Sequence, residues 1–196
     1  MPDRQMEWAE NSELHGPEFT EPETPSPKLV MFGAVPLAAA MCTMARALHW
    51  RSYVVDPRDR FTSADRFPDA ADVLVAWPDE AFARLGGIDA TMSVLLLSHD
   101  PVLDDPALEI ALRSPAGFVG AMGSRRTQEA RRERLRGAGL SEAEVARLAG
   151  PIGLDTGART VLETALSILA EIVAVRHGRS GGRLTDAAGT IHEAPA

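Results

Sequence analysis

One β-α-β unit constrains the fold of this 196-residue chain more than any other stretch of its sequence. The apolar run Leu29–Phe32 lies between a proline and a glycine, as a buried parallel strand often does. Pro36 suits the first helical position, where an N–H would have no partner, and Ala38–Leu48 supplies good helix formers. The β-branched and aromatic run Tyr53–Val55 then ends in Asp56. An acid at the end of the second strand has the spacing of one that binds the hydroxyls of an adenosine ribose.

The glycine signature of a dinucleotide-binding turn is incomplete in this unit. The pattern G-x-G-x-x-G would follow the first strand, but Val35 and Ala38 stand where the second and third glycines would fall after Gly33. Because a valine side chain obstructs the closest approach of a pyrophosphate, we expect NAD(P) to bind weakly or not at all without a partner. Two interpretations remain open. Either Gly33 and Asp56 bind a nucleotide, or the glycine merely turns the chain and the acid caps a turn before Pro57.

Further strands and helices alternate along the chain after this unit. The predicted strands are Asp72–Ala76, Ser93–Ser98 and Gly117–Met122, and the intervening helices begin at Pro78 and at Asp105-Pro106. This alternation predicts an α/β fold: a Rossmann-like, doubly wound parallel sheet in a three-layer α/β/α single domain, with strand order 3-2-1-4-5. Such sheets bind ligands at the carboxyl ends of their strands. The candidate residues at that edge are Gly33, Asp56, His99, Asp100, Gly123 and Ser124.

The segment Gly120–Thr127, G-A-M-G-S-R-R-T, predicts an anion site. It combines a strand end, two glycines, a capping hydroxyl and two arginines at the start of a helix, where free N–H groups and the helix dipole attract anions. Arg125 and Arg126 add fork-shaped donors that match phosphate. We favour phosphate binding at Gly123 and Ser124 over a purely structural cap. The later arginines of the helix predict a solvated face with local ion pairs to Glu129 and Glu133; they are Arg131, Arg132, Arg134 and Arg136.

The pair His99-Asp100 follows the fourth predicted strand and allows two interpretations. A histidine beside a carboxylate at a strand end is suited to general-base chemistry or to ligand contact. Equally, Asp100 can hydrogen-bond its own backbone in a turn before Pro101.

The stretch Gly150–Thr160 is too rich in glycine for an ordinary connection. Asp155 and Arg159 either form an ion pair that braces this loop or, with Gly153 and Gly157, form the far wall of a ligand pocket. The following helix is predicted to pack on the sheet through one apolar face, which consists of Val161, Ala165, Leu169, Ile172 and Val173.

Composition divides the chain into three regions and excludes several classes of protein. Residues 1–28 hold seven acidic and two basic residues and five prolines, so they are predicted to be disordered, ahead of a domain at 29–178 and a tail at 179–196. The remaining chain is nearly neutral, which argues against nucleic-acid binding. No apolar run is long enough to span a bilayer, and the single cysteine excludes a disulfide framework. We expect a cytoplasmic protein without a protein-held transition metal.

The motifs S-H-D-P, L-D-D-P, F-V-G-A-M-G-S-R-R-T and G-P-I-G-L-D-T-G-A-R-T, in this order, resemble the XdhC/CoxI family. These proteins are maturation factors for the molybdenum cofactor of xanthine and carbon-monoxide dehydrogenases. The resemblance implies a Rossmann-like C-terminal domain that binds the molybdenum cofactor (molybdopterin), supports its sulfuration and delivers it to an apo-enzyme. The family's pocket motifs map onto His99, Asp100, Gly123, Ser124, Arg125, Arg126, Gly153, Asp155, Gly157 and Arg159.

The resemblance also implies partners. The first is an apo-molybdoenzyme of the xanthine or carbon-monoxide dehydrogenase family. Members of the family usually carry a separate N-terminal domain, whereas an acidic segment precedes Leu29 here, so we expect the cofactor contacts of that domain either to be absent or to come from another chain, such as a separately encoded domain of that type. We further expect a homodimer, and neither nucleic acid nor a membrane as a partner.

Two rival classes stand beside this interpretation. An NAD(P)-dependent oxidoreductase is suggested by the sheet and Asp56, but a tyrosine–lysine proton-donating pair is unavailable, because Tyr53 lies in a predicted strand and Lys28 at the border of the acidic segment. His99-Asp100 would then be the remaining catalytic candidate. A pure interaction module would leave the arginine-flanked helix start without a ligand.

Overall fold

A computed structural model of the protein describes residues 26–188. Its centre is a six-stranded, all-parallel sheet with the order β3-β2-β1-β4-β5-β6. The strands are β1 (Lys28–Phe32), β2 (Arg51–Val55), β3 (Asp72–Leu74), β4 (Met92–Leu96), β5 (Phe118–Ala121) and β6 (Leu148–Ala149). The predicted fold class and the order of the first five strands are confirmed.

Helices cover both faces of the sheet. They are α1 (Pro36–Ala47), α2 (Pro78–Arg84), α3 (Pro101–Leu112), α4 (Arg125–Gly137), α5 (Glu142–Ala146) and α6 (Val161–Arg176). Buried residues of α1 and α6 form one apolar core with one face of the sheet, and those of α2, α3, α4 and α5 form a second core with the other. None of the helices within residues 26–188 is long and apolar enough to cross a membrane.

Two features of this architecture differ from the sequence prediction. Strand β6 is only two residues long, so its pattern was too short to detect. Helix α3 begins at Pro101, one turn before the predicted start at Asp105-Pro106. The reason is that Asp100-Pro101 repeats the same cap-and-proline pattern earlier: the Asp100 carboxylate accepts a hydrogen bond from the Val102 N–H at 3.0 Å.

The apolar face of α6 also differs in part. Ala165, Leu169 and Ile172 are buried as predicted, but Val161 and Val173 are exposed. Because α6 lies over both α1 and the sheet, its buried stripe is centred on Ile168 rather than on the ends of the predicted face.

Lys28, the single lysine of the chain, begins β1 at the amino end of the sheet. Its ammonium forms an ion pair with Asp89 at 2.9 Å, just before β4. Hydrogen bonds from Thr91 and Lys28 lower the pKa of the Asp89 carboxyl to about 2. The starts of the two central strands are therefore tied together.

Gly33 forms the turn at the opposite end of β1. Its N–H donates to the Val55 carbonyl at 2.9 Å, and its backbone has φ +112°. A Cβ atom built on Gly33 would lie 2.9 Å from the Ser98 nitrogen, closer than real side chains approach backbone. The turn after β1 thus requires glycine both for conformation and for space.

We expect Gly33→Ala to lower the free energy of unfolding by at least about 2 kcal/mol, because backbone strain and a backbone collision add. Gly87→Ala is the matched control, since Gly87 has φ +91° but no atom within 4 Å of its added Cβ. The control should lose only about 1 kcal/mol, from strain alone. Urea unfolding of both variants measures the difference, and equal losses would show that the approach to Ser98 has no energetic importance.

Candidate functional site

The Asp56 carboxylate, at the end of β2, is fully buried and hydrogen-bonded through both oxygens. Oδ2 accepts from the Ala34 N–H at 3.0 Å and from Arg58 Nη2 at 2.7 Å. Oδ1 accepts from Arg58 Nε at 2.8 Å and from the Arg58 N–H at 3.0 Å. Burial opposes the charge of Asp56, but the hydrogen bonds from Arg58 and Ala34 outweigh it and lower the pKa of this carboxyl.

These contacts give Asp56 a structural role at the edge of the sheet. The carboxylate caps the turn that contains Arg58 and also fastens the first β-α turn to the end of β2. A ribose could reach its oxygens only by displacing the Arg58 guanidinium. Its assignment as a ribose ligand therefore stays a prediction.

The segment after β4 holds one capping residue and one exposed histidine. Asp100 caps α3, as the turn interpretation predicted. His99 is exposed, and within residues 26–188 its side chain makes no hydrogen bond. The Ser98 hydroxyl points inward and donates to the buried Asp104 carboxylate of α3. His99 and the second carboxylate oxygen of the exposed Asp100 are thus the polar groups of this segment that face the surface of the edge.

The turn after β5 presents the predicted anion site at the start of α4. Ser124 is the N-cap: its hydroxyl accepts from the Thr127 N–H at 3.2 Å and lies 2.9 Å from Thr127 Oγ1. Gly123 has φ +129° in the turn before it. Arg125 and Arg126 are exposed, and no carboxylate of the described residues forms an ion pair with either. Their guanidinium groups are therefore available to an anion beside a helix N-terminus.

A buried ion pair links these two turns, and sequence reasoning missed it. The Arg131 side chain of α4 is only 2% exposed, and its Nη2 lies 2.9 Å from Asp104 Oδ2. Its Nη1 donates to the Met122 carbonyl at 3.0 Å and to Gln128 Oε1 at 2.9 Å. Burial raises the pKa of the Asp104 carboxyl, although Ser98 and Arg131 act in the opposite direction.

The prediction that Arg131 lies on a solvated face is therefore wrong. Helix α4 contains one large apolar residue, Leu135, and Gln128 and Arg131 precede it by seven and four positions. This spacing places all three on one helix face, which is the buried one. The position of Leu135 was the signal that could have identified Arg131 as buried.

The other arginines of α4 contact neighbouring elements instead of the local acids Glu129 and Glu133. Arg134 pairs with Asp105 at 2.6 Å, and Arg136 pairs with Glu142 at 2.6 Å. Arg132 donates to two backbone carbonyls, those of Leu148 and Gly150, at 3.1 and 3.2 Å.

The loop after β6 is fastened to α6. The Gly153 N–H donates to Glu171 at 2.6 Å, and the Ser167 hydroxyl donates to the Leu154 carbonyl at 2.6 Å. The remaining candidates of this loop are exposed: Asp155, Gly157 and Arg159. Within the described chain, no ion pair joins Asp155 to Arg159, so that explanation for the loop is wrong. Their place in a pocket wall stays a prediction.

Two further observations concern metals and the cysteine. Between residues 26 and 188, no group of three histidine, cysteine, aspartate or glutamate side chains is arranged to hold a metal ion. Cys42 is buried in α1, and burial raises the pKa of its thiol.

The doubly wound parallel sheet, with helices on both faces, defines a Rossmann-like domain. Its sequence matches the XdhC Rossmann domain over residues 29–172, and the chain belongs to this family.

Several known proteins are similar to this chain. The uncharacterized protein YqeB of Escherichia coli K12 is 31% identical over 80% of this chain and 28% of its own length. The molybdenum cofactor insertion chaperone PaoD of the same organism is 30% identical over 78% of this chain and 41% of its own. A Bacillus halodurans protein whose crystal structure is described as a xanthine dehydrogenase has a TM-score of 0.68 and 27% identity, covering 79% of this chain and 46% of its own. The chain thus spans between about a quarter and a half of these relatives.

Arg131→Met should lower the free energy of unfolding by about 3–5 kcal/mol, because it leaves the Asp104 carboxylate buried without its partner. The matched control is Arg134→Met, which removes a half-exposed ion pair of the same helix and should cost no more than about 1 kcal/mol. Adding Asp104→Leu to Arg131→Met should recover part of the loss. Chemical unfolding measures all three variants, and similar values for Arg131→Met and Arg134→Met would contradict the assignment.

Asp56→Asn should change the pH dependence of stability. Since the folded protein lowers the pKa of Asp56, its ionised form adds stability above the unfolded value of about 3.9, and this contribution is lost as the pH falls. The difference in unfolding free energy between wild type and Asp56→Asn should therefore be largest near neutral pH and shrink below about pH 4. A pH-independent difference for Asp56→Asn would argue against a stabilising carboxylate.

Proposed function

We propose that this protein is an accessory factor that binds the molybdenum cofactor and assists its sulfuration and insertion into an enzyme of the xanthine or carbon-monoxide dehydrogenase family. The observation that carries the proposal is membership of the XdhC family together with a relative that is a molybdenum cofactor insertion chaperone. A Bacillus subtilis relative, described as a probable xanthine dehydrogenase component, is 25% identical over 84% of this chain and adds support.

The chemistry of the carboxyl edge supports an anionic, phosphate-bearing ligand. Arg125 and Arg126 are exposed cations without carboxylate partners among the described residues, and they start a helix whose dipole favours negative charge. Ser124 uses its hydroxyl as a cap, so we assign phosphate contact to the backbone amides of the turn. His99 is the neighbouring exposed side chain that would contact the rest of the ligand. When bound, the cofactor would supply the molybdenum chemistry, and these residues would hold and orient it.

The direct test is to purify the full chain from cells that make the cofactor and to assay it for bound molybdopterin by the fluorescence of the oxidised pterin. The proposal expects pterin in amounts that approach the protein concentration. Purified protein without pterin, from cells whose molybdoenzymes are active, would overturn it.

Association with other proteins forms the second part of the proposal. We infer a homodimer, an apo-molybdoenzyme as client, and an XdhC-type N-terminal domain that completes the cofactor contacts. Exposed apolar residues on α6, including Leu162 and Leu166, support protein association, because monomers rarely expose such groups side by side. Sedimentation of the purified chain, alone and with the apo-enzyme, measures both assemblies.

The oxidoreductase alternative requires NAD(P) to bind beside Asp56. Weak binding of NAD(P) stays a prediction, and it now has a second physical reason besides Val35: both Asp56 oxygens already accept hydrogen bonds from Arg58 and Ala34.

Removing Arg125 or Arg126 should weaken cofactor binding by roughly ten- to a hundredfold, because a charge-assisted contact contributes about 1.5–3 kcal/mol. Arg136→Ala is the matched control, since Arg136 lies at the far end of α4 and pairs with Glu142. Arg132 is unsuitable as a control because it supports the backbone after β6. Affinities of Arg125→Ala, Arg126→Ala and Arg136→Ala are compared in one buffer, with thermal melts to verify folding. Equal losses in all three would indicate diffuse charge, and no loss would place the cofactor elsewhere.

A further inference from the structure

An apolar groove with a volume of about 940 Å³ lies between α1, α6 and the segment that follows α6. Residues 178–188 form one wall of the groove. The Arg179 N–H donates to the Ala174 carbonyl of α6 at 2.8 Å, and a Cβ atom built on Gly181 would lie 2.7 Å from the Leu154 side chain. The floor consists of apolar side chains of the two helices: Met44, Leu48, Leu166, Leu169 and Val173.

Several apolar side chains of the groove are exposed to solvent. Leu166 is 60% exposed and Leu48 is 44% exposed, and Leu184, on the segment after α6, is 67% exposed. Soluble proteins rarely leave large contiguous apolar surfaces in contact with water unless those surfaces bind something. The groove is therefore suited to an occupant with large apolar side chains.

The charged side chains in and beside the groove are mainly basic. Arg179 lines the groove, and none of the acidic residues between 26 and 188 does. Arg176 and Arg183 flank it, and Asp186 is the one acid in the stretch 176–188. A second copy docked groove to groove would bring two such sets of arginines together, and like charges that face each other across an interface oppose binding. The charge thus favours an acidic occupant.

The N-terminal segment joins the domain beside this groove. The Lys28 N–H, at the start of β1, and the Nη1 atom of Arg176, in the last turn of α6, both donate to the Thr91 carbonyl, at 3.1 and 3.3 Å. Because the two donors share one acceptor, residues 1–25 are attached close to the C-terminal end of α6. The 16 residues of α6 span about 24 Å, whereas 25 residues of extended chain reach about 80 Å. The segment is long enough to follow the whole groove.

Residues 1–25 combine the two properties that the groove favours. They hold seven acidic residues and one basic residue, Arg4. They also hold several large apolar side chains, which are Met1, Met6, Trp8, Leu14 and Phe19. The C-terminal residues 189–196, by contrast, contain one large apolar side chain, Ile191, which cannot fill a groove of this volume.

We propose that residues 1–25 dock in this groove of their own chain, with the Trp8 ring against the apolar floor and the acidic residues near the arginines at the end of α6. An acidic segment that cannot form a core of its own can still order on a preformed apolar surface. The apolar contacts provide most of the affinity, because exposed ion pairs contribute little and are screened by salt. Leu166 also belongs to the surface of α6 that supports protein association, so the docked segment and a partner would compete for it.

The test measures how fast a glutamate-specific protease cleaves the full chain at Glu7 and Glu10, which lie on either side of Trp8. A free peptide of residues 1–25 gives the rate for the undocked sequence. Cleavage follows the population of the open form when opening and closing are fast, so a segment that is docked nine-tenths of the time should be cut about tenfold more slowly than the peptide.

Two leucines of α6 provide a matched pair of variants. Leu166 lines the groove and Leu162 does not, although they are 60% and 59% exposed on the same helix. Leu166→Glu should remove most of the protection, because it places a negative charge in the apolar floor, whereas Leu162→Glu should keep it. Trp8→Ala should also remove it, relative to a peptide with the same change. Glutamate is a good helix former, so both helix variants should fold, which thermal melts verify.

Four other outcomes would overturn the assignment. Cleavage of the full chain as fast as the peptide would show that the segment does not dock. Protection that survives Leu166→Glu, or that both leucine variants lose equally, would place the segment outside the groove. Protection that falls on dilution would mean that a second copy supplies the segment. Protection at Glu193 but not at Glu7 would assign the groove to residues 189–196. These measurements need no cofactor and are independent of the proposed function.

Discussion

The arrangement of the carboxyl edge depends on a guanidinium group buried between two helices. Arg131 reaches from α4 to Asp104 on α3 and to the Met122 carbonyl after β5, and Asp104 in turn accepts from Ser98 after β4. A charge at this depth is tolerable only if its partners remain in place. The turns after β4 and β5 are therefore held at a fixed separation. The Nε atom of Arg131 has no hydrogen-bond partner among the described residues. The contacts of its Nη1 and Nη2 atoms therefore offset the cost of burying this charge.

The parts of the fold that the sequence predicted are those with repetitive patterns. Short apolar runs bounded by polar residues, glycine or proline identified the five longer strands, and alternation with helices determined their order. The failures have specific causes. Strand β6 has only two residues, the two Asp-Pro pairs near α3 are equivalent as local signals, and α6 is apolar on more than the face that it buries. In each case contacts formed on folding determine where the strand or helix begins, or which face is buried, and the local sequence pattern does not contain that information.

The sequence predicted that the candidate residues lie at the carboxyl edge of the sheet. It did not predict which of them form turns and caps. The strand-end rule found Gly33, Asp56, Asp100 and Ser124, yet the structure commits each of them to a turn or a cap. The same chemical properties that favour ligand binding, a free lone pair or an absent side chain, also favour backbone capping. Contacts that form only on folding decide between the two uses. The arginines around the Phe61 ring show a related effect, because Arg58, Arg60 and Arg66 are spread over a polar connection and come together only when that connection folds.

Lys28 is the single lysine of the chain, and it lies at the amino end of the sheet, opposite the turns that follow β1, β4 and β5. The positive charge of the carboxyl edge therefore comes from guanidinium groups, which keep their protons at any pH a cell reaches. Acylation of lysine, whether by a cellular acetyltransferase or by a laboratory reagent, has one side chain to modify, and that side chain is on the far side of the molecule. Such modification would leave the electrostatic potential of the edge intact. Coupling through Lys28 to a sensor surface or a fluorophore would likewise orient the protein with this edge facing solution.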